Sequence, residues 1–208
     1  MISLFIDTCD TNYIVSVIKD NQTLFFFQSE NSKDLSTKLL TTIEQSLSSS
    51  QLNVHDINKI FVTNGPGSFT GIRVGVTVAK TLAYSLNVPI YTVSRLECMA
   101  TTDCDTDCIV PYIDARRDYV FAGIYDKDLN VILNDSYISI EELNKHIMNK
   151  SVTLISCSSL MDNTFSPKVN LLKLIAKHIN DQAIDCHAVK PNYLKRTEAE
   201  EKRDERNI

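Results

Sequence analysis

At 208 residues, 43% of them hydrophobic and 23% charged, the chain can bury one large core or two small ones. A net charge of −5 and a pI near 5.4 exclude a protein that grips nucleic acid alone through a basic footprint. The opening Met1-Ile2-Ser3-Leu4-Phe5-Ile6-Asp7 has no basic residue and its apolar run soon meets an acid, so neither a signal peptide nor a membrane span is expected. The six cysteines (Cys9, Cys98, Cys104, Cys108, Cys157 and Cys186) are then expected as reduced thiols in a cytoplasm.

Three short apolar runs open the chain, at residues 2–6, 13–18 and 23–27. Turn residues separate them, which predicts an antiparallel meander. Over 34–48, Leu35, Leu39, Ile43 and Leu47 recur every fourth residue and Leu40 widens the stripe, so a helix is expected there, with Ser32 capping its start. Residues 60–63 read as a strand. Residues 72–86 alternate locally as a strand would, at Ile72, Val74, Val76 and Val78, but run too long for one and are read as a helix. That helix is apolar on more than one side, so it needs cover from more than one direction. Pro89 ends it and 89–93 form a further strand. A polar, acidic stretch at 101–108 marks a lobe boundary. Strands at 109–113, 119–125 and 131–133 follow, then a helix over 140–148 capped by Ser139, a strand at 153–157, a helix over 171–179 and a last strand at 183–189. The expected division is an N-terminal lobe over 1–100, a C-terminal lobe over 101–196 and a charged tail over 197–208.

Four of the five glycines fall in Asn64-Gly65-Pro66-Gly67-Ser68-Phe69-Thr70-Gly71-Ile72-Arg73-Val74-Gly75. Strand, glycine-rich turn and helix is a layout that can cradle a phosphate on a helix N-terminus. Yet Ile72 and Arg73 stand where a P-loop needs lysine and a hydroxyl, and the third glycine is one residue too far along for a dinucleotide fingerprint. The other reading is a tight turn that packs strand against helix.

The segment from Gly65 to Arg73 closely resembles the signature of the TsaB family, the accessory subunit of the bacterial tRNA threonylcarbamoyladenosine machinery. Asp114-Ala115-Arg116-Arg117 is a second match. Pro191-Asn192-Tyr193-Leu194-Lys195 resembles the family's Pro-x-Tyr-Leu-Arg with lysine for arginine, and Ser94-Arg95-Leu96-Glu97 is similar to its Ser-Ser-Leu-Glu. The resemblance implies an α/β protein of the ASKHA (actin, Hsp70 and sugar-kinase-like) class, two lobes of mixed sheet flanked by helices. The β-β-β-α-β-α-β order of the first half agrees with it.

Departures from the superfamily pattern shape the functional expectation. Where ASKHA nucleotide sites read Asp-x-Gly-Thr, this chain has Asp7-Thr8-Cys9-Asp10-Thr11, and the side chain in place of glycine crowds a phosphate. Asp7 is then either a remnant of that site or the cap of its own turn. None of His55, His146, His178 and His187 is four residues from another, so the paired histidine ligands of the catalytic relative are missing. Cys104 and Cys108 lack two matching zinc ligands. Arg116 and Arg117 beside Asp114 suit an ion pair between lobes or a phosphate contact.

The resemblance therefore implies a non-catalytic scaffold or activator with no metal and no cofactor of its own, ATP or ADP entering only with the assembled complex. Its implied partners are the catalytic TsaD paralogue, the ATPase TsaE through that pair, and tRNA indirectly; alone, a homodimer is the alternative, with no role for a membrane. The expected partner face is Leu39, Leu40 and Ile43 with Val74, Val78 and Leu82. Candidate nucleotide or ion-pair contacts are Asp7, Gly65, Gly67, Ser68, Thr70, Gly71, Arg73, Asp114, Arg116 and Arg117. The competing expectation is an autonomous ATP-dependent phosphotransferase built on Asp7 and the glycine-rich turn.

Overall fold

The computed structural model describes residues 1–195. Strands β1 (Ile2–Asp7), β2 (Asn12–Lys19) and β3 (Gln22–Glu30) form the expected meander. Helix α1 (Leu35–Ser49) then crosses to β4 (Lys59–Thr63), and α2 (Phe69–Leu86) to β5 (Ile90–Val93). Their sheet runs β3-β2-β1-β4-β5, with β1, β4 and β5 parallel. After α3 (Arg95–Ala100) a second set begins: β6 (Cys108–Asp114), β7 (Tyr119–Tyr125), β8 (Val131–Ser139), α4 (Ile140–Ile147), β9 (Val152–Ile155), β10 (Thr164–Phe165) and α5 (Leu171–Lys177). Its order is β10-β9-β6-β7-β8. Counted from each sheet's first strand, both read 3-2-1-4-5 with the same parallel and antiparallel pairs, which is the expected α/β arrangement of two mixed sheets flanked by helices.

Both faces of β1 are covered, so its run is apolar throughout rather than alternating. Leu4 and Ile6 pack with Val15, Val17 and Val62 under α1 and α2. Phe5, with Ile14, Ile18 and Phe61, packs under Leu171, Leu174 and Ile175 of α5. Helix α3 faces both ways, Cys98 joining the first sheet's cluster while Leu96, Met99 and Ala100 join Ile109, Tyr125 and Ile155 of the second. The far face of the second sheet is closed by Leu143 of α4. Fully burying each such leucine contributes roughly 1.5–3 kcal/mol.

Several expectations change. Helix α1 starts beside Asp34 with no side-chain cap; Ser32 instead accepts from Leu35 through its carbonyl. Helix α2 starts at Phe69, three residues early, because the Ser68 hydroxyl accepts from Gly71 N. The strand expected at 183–189 is a single bridge, Ile184 to Ile90, since Asp185 closes a turn on His187 N. Helix α3, β10 and the polar half of β8 were not expected at all. The expected charged tail, 197–208, lies outside the described residues.

Candidate functional site

The cleft between the lobes, about 760 Å³, is lined by the β1–β2 turn (Cys9, Asp10, Thr11), by Asn31, by Gly67 and Ser68, and by Asp114, Arg116 and Phe121 across from them. Its floor is set by the glycine-rich turn. A Cβ on Gly67, whose φ of +149° suits glycine, would sit 1.9 Å from the Cys9 carbonyl oxygen; one on Gly71 would sit 2.0 Å from that of Thr8. Ser68 N donates to the Cys9 carbonyl at 2.6 Å and the Thr8 hydroxyl donates to the Gly71 carbonyl at 2.7 Å. The glycines therefore let the β1–β2 turn lie against the start of α2, where the Cys9 carbonyl oxygen already takes the Ser68 N–H. Gly65 likewise lies under the backbone of Asn192, while the Thr70 side chain is exposed.

Asp7 is fully buried. It accepts from Cys9 N at 2.9 Å and from the Thr63 hydroxyl at 2.5 Å on one oxygen, so it does cap its own turn. Its other oxygen meets Arg95 Nη1 at 2.9 Å, and Arg95 Nη2 reaches Asp10 at 3.4 Å. The guanidinium is itself buried, and its Nε has no acceptor among the described residues. Burial works to lower its pKa, but Asp7, Cys98 and Asp10 together hold it above the ordinary arginine value. Two carboxylates around one guanidinium leave the cluster net negative, a poor seat for phosphate. The nearby thiols are held protonated by burial, Cys98 up to about 12 and Cys9 well above its ordinary value, so neither is a ready nucleophile.

Sequence reasoning passed over Arg95, though the Ser94-x-x-Glu97 capping pattern marked a helix start there. The residues on either side are also engaged. The Ser94 hydroxyl donates to Asp135, which also accepts from the Tyr125 hydroxyl at 2.5 Å; Glu97 meets His178 Nε2 at 3.0 Å.

The other expected residues scatter. Arg73 stacks 3.8 Å from the Phe69 ring and its Nε donates to the Tyr193 hydroxyl at 2.8 Å, tying the 190–195 segment along α2. Asp114 caps Arg116 N at 2.7 Å, and neither Arg116 nor Arg117 makes an ion pair among the described residues. Among the described residues that pair therefore makes no ion pair between the lobes, one of its two expected roles. On the expected partner face, Leu39 and Ile43 turn inward to the core, because the fourth-residue stripe is the side α1 lays on the sheet. Leu40 stays 53% exposed, and Val74, Val78 and Leu82 are half-buried along one edge of α2. Cys104 and Cys108 gather no further ligands; among the described residues three ligand types converge only at the surface turn Asp185-Cys186-His187.

The family model described as TsaD, tRNA N6-adenosine threonylcarbamoyltransferase, matches residues 29–202. The chain is 28% identical to "tRNA threonylcarbamoyladenosine biosynthesis protein TsaB" of Bacillus subtilis over 97% of each chain. It is 34% identical to the Escherichia coli protein of that name over 46% of this chain and 42% of the relative. It also shares 36% identity with the "tRNA N6-adenosine threonylcarbamoyltransferase" of Treponema pallidum, over 36% of this chain and 22% of that protein. Among solved structures, YeaZ from Pseudomonas aeruginosa superposes with a TM-score of 0.76 over 93% of this chain and 99% of its own, at 19% identity.

Proposed function

The chain belongs to the TsaD family, and within it to the TsaB branch, and from that premise we propose that it serves threonylcarbamoyladenosine formation in tRNA as a non-catalytic subunit. The observation that carries "non-catalytic" is the engagement of Asp7 by Arg95 beside a turn whose carbonyls pack on the glycines and take up the Ser68 N–H. The residues present do not fit a nucleotide phosphate with its metal, so in this reading the competing phosphotransferase does not work from this floor alone. Calorimetry with ATP on the isolated chain is expected to give no heat of binding, and saturable binding would reinstate the phosphotransferase.

The partner in this reading is the catalytic TsaD paralogue, with the ATPase TsaE joining that pair in the cytoplasm and tRNA met only through the assembly. The face that supports it is the seam of α1 and α2, where Leu40 is exposed and Val74, Val78 and Leu82 are incompletely covered. Without the paralogue, the same face serves to pair two copies of the chain. Light scattering on a mixture of the two proteins is expected to give a heterodimer mass. Leu40→Glu tests the face with least risk to the fold, since the side chain already meets solvent; it should weaken pairing by about 30-fold or more, as loss of an interface anchor does. Unchanged affinity moves the partner surface elsewhere.

A further inference from the structure

The Asp7, Asp10 and Arg95 cluster is larger than the needs of a turn. Asp7 has no solvent exposure, and the oxygen that faces Arg95 accepts no hydrogen bond, so only charge holds it there. Arg95 approaches both carboxylates at the head of α3, which packs Leu96, Met99 and Ala100 into the second sheet's core and Cys98 into the first's, while Asp7 ends β1 and Asp10 lies in the turn after it. Remove the guanidinium and two carboxylates remain, with the Thr63 hydroxyl on Asp7; Asp7 and Thr63 are buried and Asp10 lines the open cleft. An all-oxygen set of this kind takes hard divalent cations such as Mg²⁺ or Mn²⁺.

We propose that Asp7 and Asp10 form a cation site whose resident cation is the chain's own Arg95. The tethered guanidinium holds the β1–β2 turn beside the cleft, and with it the seating of α3 between the sheets, with no dissociable ion. In the natural chain this site is therefore closed to divalent cations, whichever partner the chain takes.

The test uses the full chain and two variants. Arg95→Gln fills much of the same volume without the charge, and Arg95→Ser leaves a hole the size of a free guanidinium. Millimolar Mn²⁺ is expected to leave the natural protein's melting temperature unmoved and to raise that of Arg95→Gln. The rise should reach about 6 °C at 100 times Kd, the mass-action shift for a chain of this size. Guanidinium at concentrations too low to denature should raise Arg95→Ser in the same way, and adding Asp10→Asn should abolish both responses. The proposal is overturned if the folded variants respond to neither cation, if the natural chain responds as strongly as Arg95→Gln, or if rescue survives Asp10→Asn. Should the variants misfold, refolding them with Mn²⁺ or guanidinium is expected to restore soluble protein, and failure there overturns it equally.

Discussion

The two sheets share one strand order and each carries an engaged acid, Asp7 fully buried and Asp135 half-buried, yet the two acids are served differently. Asp7, on the central strand of the first sheet, has a cation: Arg95. Asp135, on the edge strand of the second, has two neutral donors, Ser94 and Tyr125. Burial raises the Asp135 carboxyl above its ordinary value. Both acids are reached from the head of one short helix, by neighbouring residues. A paired buried charge is costly to break, whereas an unpaired one is costly to keep.

The same substitution at the two acids separates these cases. Asp7→Asn leaves Arg95 buried with Asp10 alone and is expected to cost about 3–5 kcal/mol in denaturant unfolding. Asp135→Asn removes a charge that no cation balances, and at neutral pH it is expected to change stability by less than about 1 kcal/mol, or to raise it slightly. Equal losses would mean that the ion pair adds little to what hydrogen bonding already supplies.

A second contrast lies in the connection that follows the fourth strand of each sheet. In the first sheet it is the glycine-rich turn and the 18 residues of α2; in the second it is residues 156–163, with no helix. Gly71→Ala drives a methyl into the Thr8 carbonyl, which β1 and β2 hold in place, and should cost roughly 3 kcal/mol. Ser159→Ala, at an exposed position in the corresponding loop, should stay within about 0.5 kcal/mol by the same unfolding assay. A mild Gly71→Ala would show that the turn yields, and with it the case against a phosphate there.

Much of this fold can be read in the residues, and the reason is local. β1, β2 and α1 announce themselves by β-branched runs and a fourth-residue stripe, and Ser139 marks α4. What escapes is set by distant partners. The end of β8 looks polar because Asp135 answers to Ser94, 41 residues earlier. The alternating valines of α2 are locally strand-like, but the length of the run gives the helix, and Ile72, Val76 and Ala79 do share its buried face; only its start at Phe69 escapes. The resemblance led to the glycine-rich turn, and the residues there do come together, but as packing. The cation that defines the site comes from 85 residues beyond Asp10 and carries no local pattern except a helix cap.

The last contrast is in pH, and it is the smallest. Glu97, two residues after Arg95, hydrogen-bonds His178 at the end of α5, and this contact, against the cost of burial and with help from Asp181, raises the His178 pKa. A histidine whose folded pKa is raised contributes stability that is fully present below its unfolded value of about 6.5 and is lost as pH climbs through the folded one. Asp135 has the same sign in a lower window, since its raised carboxyl favours the folded state below the unfolded value of about 3.9 and stops doing so as pH rises past it. These two groups therefore each contribute a falling step as pH rises, the lower one set against the opposite contribution of Asp20 and Asp126, whose carboxyls are held below their ordinary values. His178→Gln should flatten the upper step and leave the lower, and Asp135→Asn should do the reverse. Melting curves across that range decide it: if either variant removes both steps, the two contacts titrate as one network through Glu97 rather than as separate supports of the two sheets.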